Sequence, residues 1–236
     1  MRKQRIITIG GGSGSSMVLT GLKKYPLDLS AVVSMADDGG SSGILRHELG
    51  VLPPGDIRQC LLALSQADKI LKGLFNYRYA SGSLSGHNFG NIFIATLEKI
   101  TGSFDSAIKE AGRILAVKGQ VLSVTLKSVR LAAVLKNGRK IIGENRIYHS
   151  SDLLNLKKLY LKSAAVLNVE AKEALKRADK IVICPGDLYC SLIPNFLVNG
   201  MREALAKIKA RVICVGNLTT KPGQTDGYSL VDYVKI

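Results

Sequence analysis

The 236-residue sequence contains no tryptophan, and aromatic residues make up only 6% of it. No apolar run approaches the roughly 20 residues that a membrane-spanning helix needs. A signal peptide is also disfavoured, because glycines interrupt the first apolar segment, Ile6–Ile9, soon after it begins. The chain has 46% hydrophobic and 22% charged residues, which is typical of a packed globular protein. We therefore expect a cytoplasmic protein.

Residues that commonly form zinc sites and redox pairs are scarce. The chain has four cysteines without a C-x-x-C pair, and its three histidines are scattered. Cys184 and Cys214 fall within apolar strand patterns, so we expect both to be reduced residues of the core.

Acidic residues are also few: 18 Asp and Glu stand against 33 Lys and Arg, which gives a net charge of +15. This excess is consistent with nucleic-acid binding, or with a basic surface that includes a pocket for anionic ligands. The basic residues concentrate in the middle of the chain, at Lys127, Arg130, Lys136, Arg139, Lys140, Arg146, Lys157, Lys158 and Lys162. No aromatic platform or nucleic-acid motif accompanies them, so we favour the anionic pocket and disfavour a nucleic-acid partner.

Glycine, in contrast, is used in a concentrated way near the N-terminus. The strand Ile6–Ile9 is followed by Gly10, Gly11, Gly12, Ser13 and Gly14, and then by apolar residues that suit one helix face. Those apolar residues are Met17, Val18 and Leu22. A strand, a glycine turn and a helix N-terminus together favour binding of a phosphate. The segment matches neither the dinucleotide fingerprint nor the Walker A loop, and a tight turn without a ligand is the alternative.

A second loop rich in glycine and serine follows the strand Leu29–Met35 and contains Asp37, Asp38, Ser41 and Ser42. Adjacent carboxylates in such a loop can bind Mg²⁺, contact sugar hydroxyls or cap the next helix. Capping accounts for one of the two Asp residues at most. We therefore predict that Asp37 and Asp38 are functional carboxylates.

Further polar residues stand near predicted helix starts. Asp56 suits a helix N-cap, and Arg58 is expected either to reach a phosphate or to pair with Asp56. His87 is interpreted as a pocket residue or as a buried, hydrogen-bonded histidine. Asn91 needs a partner if it is buried, and the Asp37–Asp38 loop or a ligand would provide one.

The remaining pattern alternates strands and helices. Strands at Lys180–Cys184 and Val212–Val215 also end in polar loops, which contain Gly186 and Asn217. Because the carboxyl ends of parallel strands share one edge of a sheet, we predict an extended, phosphorylated ligand there. We expect an α/β fold in one domain, 1–236, with a β-rich basic insertion at about 119–169.

Six motifs occur in an order that resembles the YvcK/CofD superfamily. They are Gly-Gly-Gly-Ser-Gly from Gly10, Asp-Asp-Gly-Gly-Ser-Ser-Gly from Asp37, Leu-Pro-Pro-Gly-Asp-Ile-Arg from Leu52, Gly-His-Asn-Phe-Gly-Asn from Gly86, Pro-Gly-Asp-Leu-Tyr from Pro185 and Asn-Leu-Thr-Thr from Asn217. The second and third motifs are more similar to the gluconeogenesis-factor branch than to 2-phospho-L-lactate transferase of coenzyme F420 synthesis.

The resemblance implies a Rossmann-like parallel sheet flanked by helices. The gluconeogenesis-factor branch implies a regulator that binds UDP-sugars such as UDP-N-acetylglucosamine and acts in carbon metabolism and cell-shape control, without an established reaction. The transferase branch implies transfer of a phospholactyl group, with a divalent metal such as Mg²⁺ on Asp37 and Asp38. If there is catalysis, its candidates are Asp37, Asp38 and His87.

The motifs together define the predicted nucleotide and phosphate site. It consists of Gly11, Gly12, Ser13, Gly14, Asp37, Asp38, Ser41, Ser42, Asp56, Arg58, Asn91, Gly186, Tyr189, Ser191, Asn217 and Thr219. The sequence departs from the family pattern at Asp187, Cys190, Gln224 and Tyr233. We also expect that the C-terminal part of the family fold is missing, and homo-oligomer formation stays open.

Overall fold

A parallel β-sheet flanked by helices forms the body of the molecule, which a computed structural model describes for residues 2–236. Its five strands have the order β3-β2-β1-β7-β8. They are β1 (Arg5–Gly10), β2 (Asp28–Val33), β3 (Gln120–Ser123), β7 (Lys180–Ile183) and β8 (Arg211–Cys214). The predicted α/β class with a parallel sheet is confirmed.

Eleven α-helices lie within the described residues, and most of the longer ones connect or follow the strands of the sheet. They are α1 (Gly12–Leu22), α2 (Gly40–Leu49), α3 (Gly55–Leu64), α4 (Lys69–Asn76), α5 (Phe89–Thr101), α6 (Phe104–Ile114), α7 (Glu144–Tyr148), α8 (Val169–Arg177), α9 (Ile193–Phe196), α10 (Met201–Ala206) and α11 (Leu230–Lys235). No helix within residues 2–236 is both long and apolar enough to span a membrane.

The order of the strands places two loops at a topological switch point. The chain runs from β1 through β2 to β3 on one side, and β7 and β8 lie on the other side of β1. Ile9 of β1 is level with Ile183 of β7, and Gly10 is level with Val33 of β2. The loops after these strands therefore leave from one edge, where open α/β sheets bind their ligands.

The β-rich insertion is smaller than its predicted range. Strands β4 (Leu131–Leu135), β5 (Lys140–Ile142) and β6 (Leu156–Leu161) form an antiparallel sheet in the order β5-β4-β6. In contrast, β3 pairs in parallel with β2 in the main sheet, with Val121 and Leu122 buried in the core. The sequence pattern of a short apolar strand such as β3 does not indicate which of the two sheets it joins.

Three expectations about single elements are wrong. Met17 is 74% exposed, because α1 turns Gly12, Ser15 and Leu19 inward instead. Cys214 is exposed, since β8 is an edge strand and its four residues are all exposed. Residues 196–207 have the sequence pattern of one helix, but the chain leaves the helical conformation over 197–200, where Gly200 has a φ of +91°.

Candidate functional site

The glycine turn after β1 is packed tightly against the loop that follows β7. A Cβ atom on Gly14 would lie 1.7 Å from the carbonyl oxygen of Pro185, so no larger residue fits there without movement. Next to it, a Cβ on Gly11 would lie 3.0 Å from Oγ of Ser191. Ser13 is exposed and donates a hydrogen bond to Gln59. Contacts within the chain are thus enough to account for glycine at Gly14.

Asp56 faces the same turn from the first turn of α3. Pro54 is the N-cap residue of that helix and Asp56 lies within it, so the predicted N-cap role of Asp56 is wrong. Its carboxylate instead lies against the backbone of Gly12, at the N-terminus of α1, where a Cβ atom would lie 2.5 Å from Oδ1 of Asp56. An acidic side chain therefore occupies part of the position where the sequence predicted a phosphate. Phosphate binding by the glycine turn stays a prediction.

Asp37 and Asp38 lie side by side in the loop after β2, but their contacts differ. Oδ1 of Asp37 accepts the backbone N–H of Gly39 at 3.0 Å, and its carboxylate also bonds the hydroxyl of Ser42. Oδ1 of Asp38 accepts the backbone N–H of Asn145 at 2.8 Å. Neither side chain caps α2, whose N-cap residue is Gly39. This hydrogen bond links α7, beside the small antiparallel sheet, to the loop that follows β2 of the main sheet.

Glu144 joins Asp37 and Asp56 in an acidic group at this rim. Burial raises the pKa of Glu144 to about 8, and the nearby charges of Asp37, Asp56 and Asp38 add to the shift. Burial, reinforced by Asp37, likewise raises the pKa of Asp56 to about 7. The pKa of Asp37 is also raised, mainly by burial. Near neutral pH, the carboxyl groups of Glu144 and Asp56 are therefore partly protonated and able to donate hydrogen bonds to hydroxyl or carbonyl oxygens.

Arg58 donates its hydrogen bonds to residues of two neighbouring helices. Its Nε donates to Oδ1 of Asn91 at 2.9 Å, and one terminal nitrogen donates to the carbonyl of Phe75 and to Asn76. The ion pair with Asp56, one of its two predicted roles, is not among the ion pairs within residues 2–236, and the phosphate contact stays a prediction. The partner of Asn91 is Arg58, where the sequence suggested the Asp loop or a ligand.

Ser41 and Ser42 attach the start of α2 to its neighbours. Oγ of Ser41 accepts the backbone N–H of Asn88 and lies 3.4 Å from Nδ1 of His87. Oγ of Ser42 accepts the backbone N–H of Gly55 at 3.1 Å. Both serines are buried and His87 is half-buried. Their hydrogen bonds position the acidic loop against α3 and α5.

The loops after β7 and β8 contact each other as well as the glycine turn. The side chain of Asn217 accepts from the N–H of Gly186 and donates to its carbonyl oxygen. Tyr189 is buried, and its hydroxyl lies 3.3 Å from that of Tyr228. Thr219 is exposed at the far end of this rim. The structure thus brings Gly186 and Asn217 together, whereas Tyr189 and Thr219 do not meet the acidic group.

A basic cleft opens beside Asp38, between α2 and the small antiparallel sheet. The cavity measures about 810 Å³, which lies within the roughly 300–1,000 Å³ of small-molecule sites. Its described lining includes four cationic side chains, namely Arg46, Arg130, Arg146 and Lys162. Asp38 is the one carboxylate among those lining residues, and the hydroxyls of Ser128 and Ser163 lie there too. We refer to this cavity as the basic cleft.

The side chains at this rim do not form a metal site by themselves. No group of three or more His, Cys, Asp or Glu side chains in the described part of the chain is arranged to hold a metal ion. Asp37 and Asp38 already accept backbone N–H groups, and Mg²⁺ held by one or two carboxylates usually depends on substrate phosphates as well. A Mg²⁺ ion on Asp37 and Asp38 therefore stays a prediction.

Sequence reasoning missed Glu144 and all four cations of the basic cleft as site residues. Arg130, Arg146 and Lys162 were grouped with the basic middle of the chain, whose excess charge was the available signal. Arg46 lies about two helical turns after the Asp37–Asp38 motif, and no sequence motif marks it as a site residue. Only the fold shows that these residues share one cavity with Asp38.

Comparison with known proteins agrees with the motifs. A family model described as 2-phospho-L-lactate transferase CofD matches residues 6–236. A Bacillus subtilis protein named gluconeogenesis factor is 40% identical, covering 99% of this chain and 74% of its own length. A crystal structure of a UPF0052-family protein from Bacillus halodurans superposes with a TM-score of 0.95 at 41% identity, covering all of this chain and 76% of that one.

A relative from Nostoc sp., provisionally named as a gluconeogenesis factor, is 46% identical over 235 residues. The alignment covers 99% of this chain but 51% of the Nostoc protein. The chain thus spans about half the length of that relative and about three quarters of the Bacillus subtilis protein.

Proposed function

The chain belongs to the CofD family, and from that premise we propose that it binds a nucleotide sugar of the UDP-N-acetylglucosamine type as a regulator. The observation that supports this most is the juxtaposition of two chemically different surfaces at one edge of the sheet. An acidic group, Asp37, Asp56 and Glu144, lies beside Asp38, and the basic cleft begins at Asp38. Such a rim suits a ligand with both hydroxyl and phosphate groups.

The partly protonated carboxyl groups fit the hydroxyl-bearing part of this ligand. A carboxylate accepts hydrogen bonds from sugar hydroxyls, and its protonated form also donates to them. The proposed role extends to carbon metabolism and cell-shape control, in line with the name gluconeogenesis factor that relatives carry. That name also favours a regulator over the phospholactyl transferase of the family description.

A thermal-shift series tests the proposal directly. We expect UDP-N-acetylglucosamine to raise the melting temperature of the 236-residue chain by about 5–10 °C at 100 times its dissociation constant. N-acetylglucosamine alone, which lacks the diphosphate, is the matched control and should shift the melting temperature far less. The absence of any shift with UDP-N-acetylglucosamine at millimolar concentration would contradict nucleotide-sugar binding.

A further inference from the structure

The glycine turn is a poor place for the negative charge of such a ligand. The carboxylate of Asp56 lies against the backbone of Gly12, and Asp56 is close enough to Asp37 and Glu144 for the charges of these carboxyl groups to affect one another. A phosphate placed there would meet carboxyl groups instead of cations. At the switch point itself, the contact between Gly14 and Pro185 leaves little room between the two loops.

Positive charge that is not neutralised lies on the other side of Asp38. The ion pairs found between described residues do not include Arg46, Arg130, Arg146 or Lys162. Arg130 and Lys162 are neighbours just beyond the paired ends of β4 and β6, because the N–H of Lys162 donates to the carbonyl of Arg130 at 2.8 Å. Like charges opposite each other destabilise a sheet unless an anion offsets them.

Arg46 brings a third cation to the same place and is held there by the fold. One of its terminal nitrogens donates both to the hydroxyl of Ser128, at 3.0 Å, and to the backbone carbonyl of Val129. Burial lowers the pKa of Arg46; the charges of Asp38 and Asp37 oppose this shift, and repulsion by the nearby Arg130 adds to it. Arg46 is thus positioned before any ligand arrives, so its ordering does not reduce the affinity.

We propose that the basic cleft binds the diphosphate group of the nucleotide sugar, through Arg130, Arg146 and Lys162 with Arg46 behind them. This assignment rests on the proposed function and specifies where its charged part is bound. Arginine and lysine side chains are the usual ligands of phosphate oxygens, and the hydroxyls of Ser128 and Ser163 offer further donors. Asp38, at the inner end of the cleft, then faces the hydroxyl-bearing part of the ligand.

Paired substitutions on the small sheet test this assignment by titration calorimetry. The double variant Arg130→Gln/Lys162→Gln removes two exposed cations from the cleft, and Lys136→Gln/Lys157→Gln removes two exposed cations outside its lining. We expect the first to weaken binding of UDP-N-acetylglucosamine about tenfold or more. The second should change the dissociation constant by about twofold at most, because exposed charges outside a site contribute little.

Inorganic pyrophosphate serves as a second probe that lacks base and sugar. We expect it to bind the unsubstituted chain more weakly than the nucleotide sugar, and to lose binding in Arg130→Gln/Lys162→Gln alone. If UDP-N-acetylglucosamine binds the unsubstituted chain and both double variants equally well, the cleft assignment is overturned while the proposed function stands. If UDP-N-acetylglucosamine does not bind the unsubstituted chain, the proposed function fails. Loss of pyrophosphate binding in the cleft variant alone would then still support an anion site in the cleft.

Discussion

Asp56 shows how one half-buried side chain makes the stability of the whole chain depend on pH. The folded protein raises the pKa of Asp56 from its ordinary value of 3.8 to about 7. The folded state therefore holds the proton more tightly than the unfolded chain does. The stabilisation is complete below about pH 4 and is lost as the pH rises toward 7.

The first prediction concerns this pH dependence. Between pH 5 and pH 7 the free energy of unfolding should fall by about 1 kcal/mol per pH unit for Asp56, with Glu144 extending the decline toward pH 8. Asp56→Asn should flatten the decline and stabilise the protein at pH 8, as measured by urea denaturation. Asp28→Asn, at an exposed position of β2, is the control and should leave the slope unchanged. An unaltered slope in Asp56→Asn would contradict the account.

Two glycines of α1 provide a second, matched prediction at the scale of single residues. Gly14→Ala should destabilise the protein by about 2 kcal/mol or more, because its Cβ would collide with the backbone of Pro185. Gly21→Ala should stabilise it by about 0.5–1 kcal/mol, since nothing lies within 4 Å and alanine favours the helix. Urea denaturation of both variants checks the contrast, and equal effects would refute the close contact with Pro185.

Single residues also show what sequence reasoning can and cannot assign. It identified Asp37 and Asp38 as functional carboxylates from their neighbours alone. It assigned Asp56 to a cap, because an Asp after Pro-Pro-Gly fits that pattern and Gly12, against which its carboxylate lies, is 44 residues earlier in the chain. It left Asn91 without its partner for the same reason, since Arg58 approaches from another helix.

At the scale of elements, Arg58 links three helices. From α3 it donates to Asn91 on α5 and to the Phe75 and Asn76 end of α4. Arg58→Met should therefore destabilise the protein by about 2–4 kcal/mol, because it leaves these buried acceptors without a donor. Arg113→Met, at an exposed position of α6, should cost less than about 1 kcal/mol in the same urea titration.

The same variant distinguishes a structural role of Arg58 from a binding role. Below its melting transition, Arg58→Met should bind UDP-N-acetylglucosamine with nearly unchanged affinity in titration calorimetry. A strong loss of affinity in the folded variant would mean that Arg58 reaches the ligand after all.

Whole elements were predictable where local pattern determines them. Buried β-branched runs followed by glycine loops predicted β1, β2 and β7, because a parallel strand covered on both faces needs such a composition. The place of β3 in the main sheet and the exposure of Cys214 on β8 were not predictable. Both depend on which strand or layer lies alongside, and local sequence does not contain that information.

For the molecule as a whole, the alternation of strands and helices in the sequence predicted that the parallel strands end at one shared edge. It did not predict where the cationic side chains of the basic cleft would lie. The cations of the basic cleft come from α2, α7 and the ends of β4 and β6, so only the tertiary fold gathers them. Sequence reasoning placed the phosphate at the glycine turn, because glycine turns bind phosphates in other folds. In this chain the carboxylate of Asp56 lies close to Gly12 of that turn.

A crystal structure of this chain with UDP-N-acetylglucosamine tests the central claim most directly. The account predicts one ligand at the carboxyl edge of the sheet, with its diphosphate within hydrogen-bond distance of Arg130 or Lys162 and its hydroxyl-bearing part toward Asp38. A ligand bound on another face of the molecule, or crystals that contain no ligand despite saturating concentrations, would contradict it.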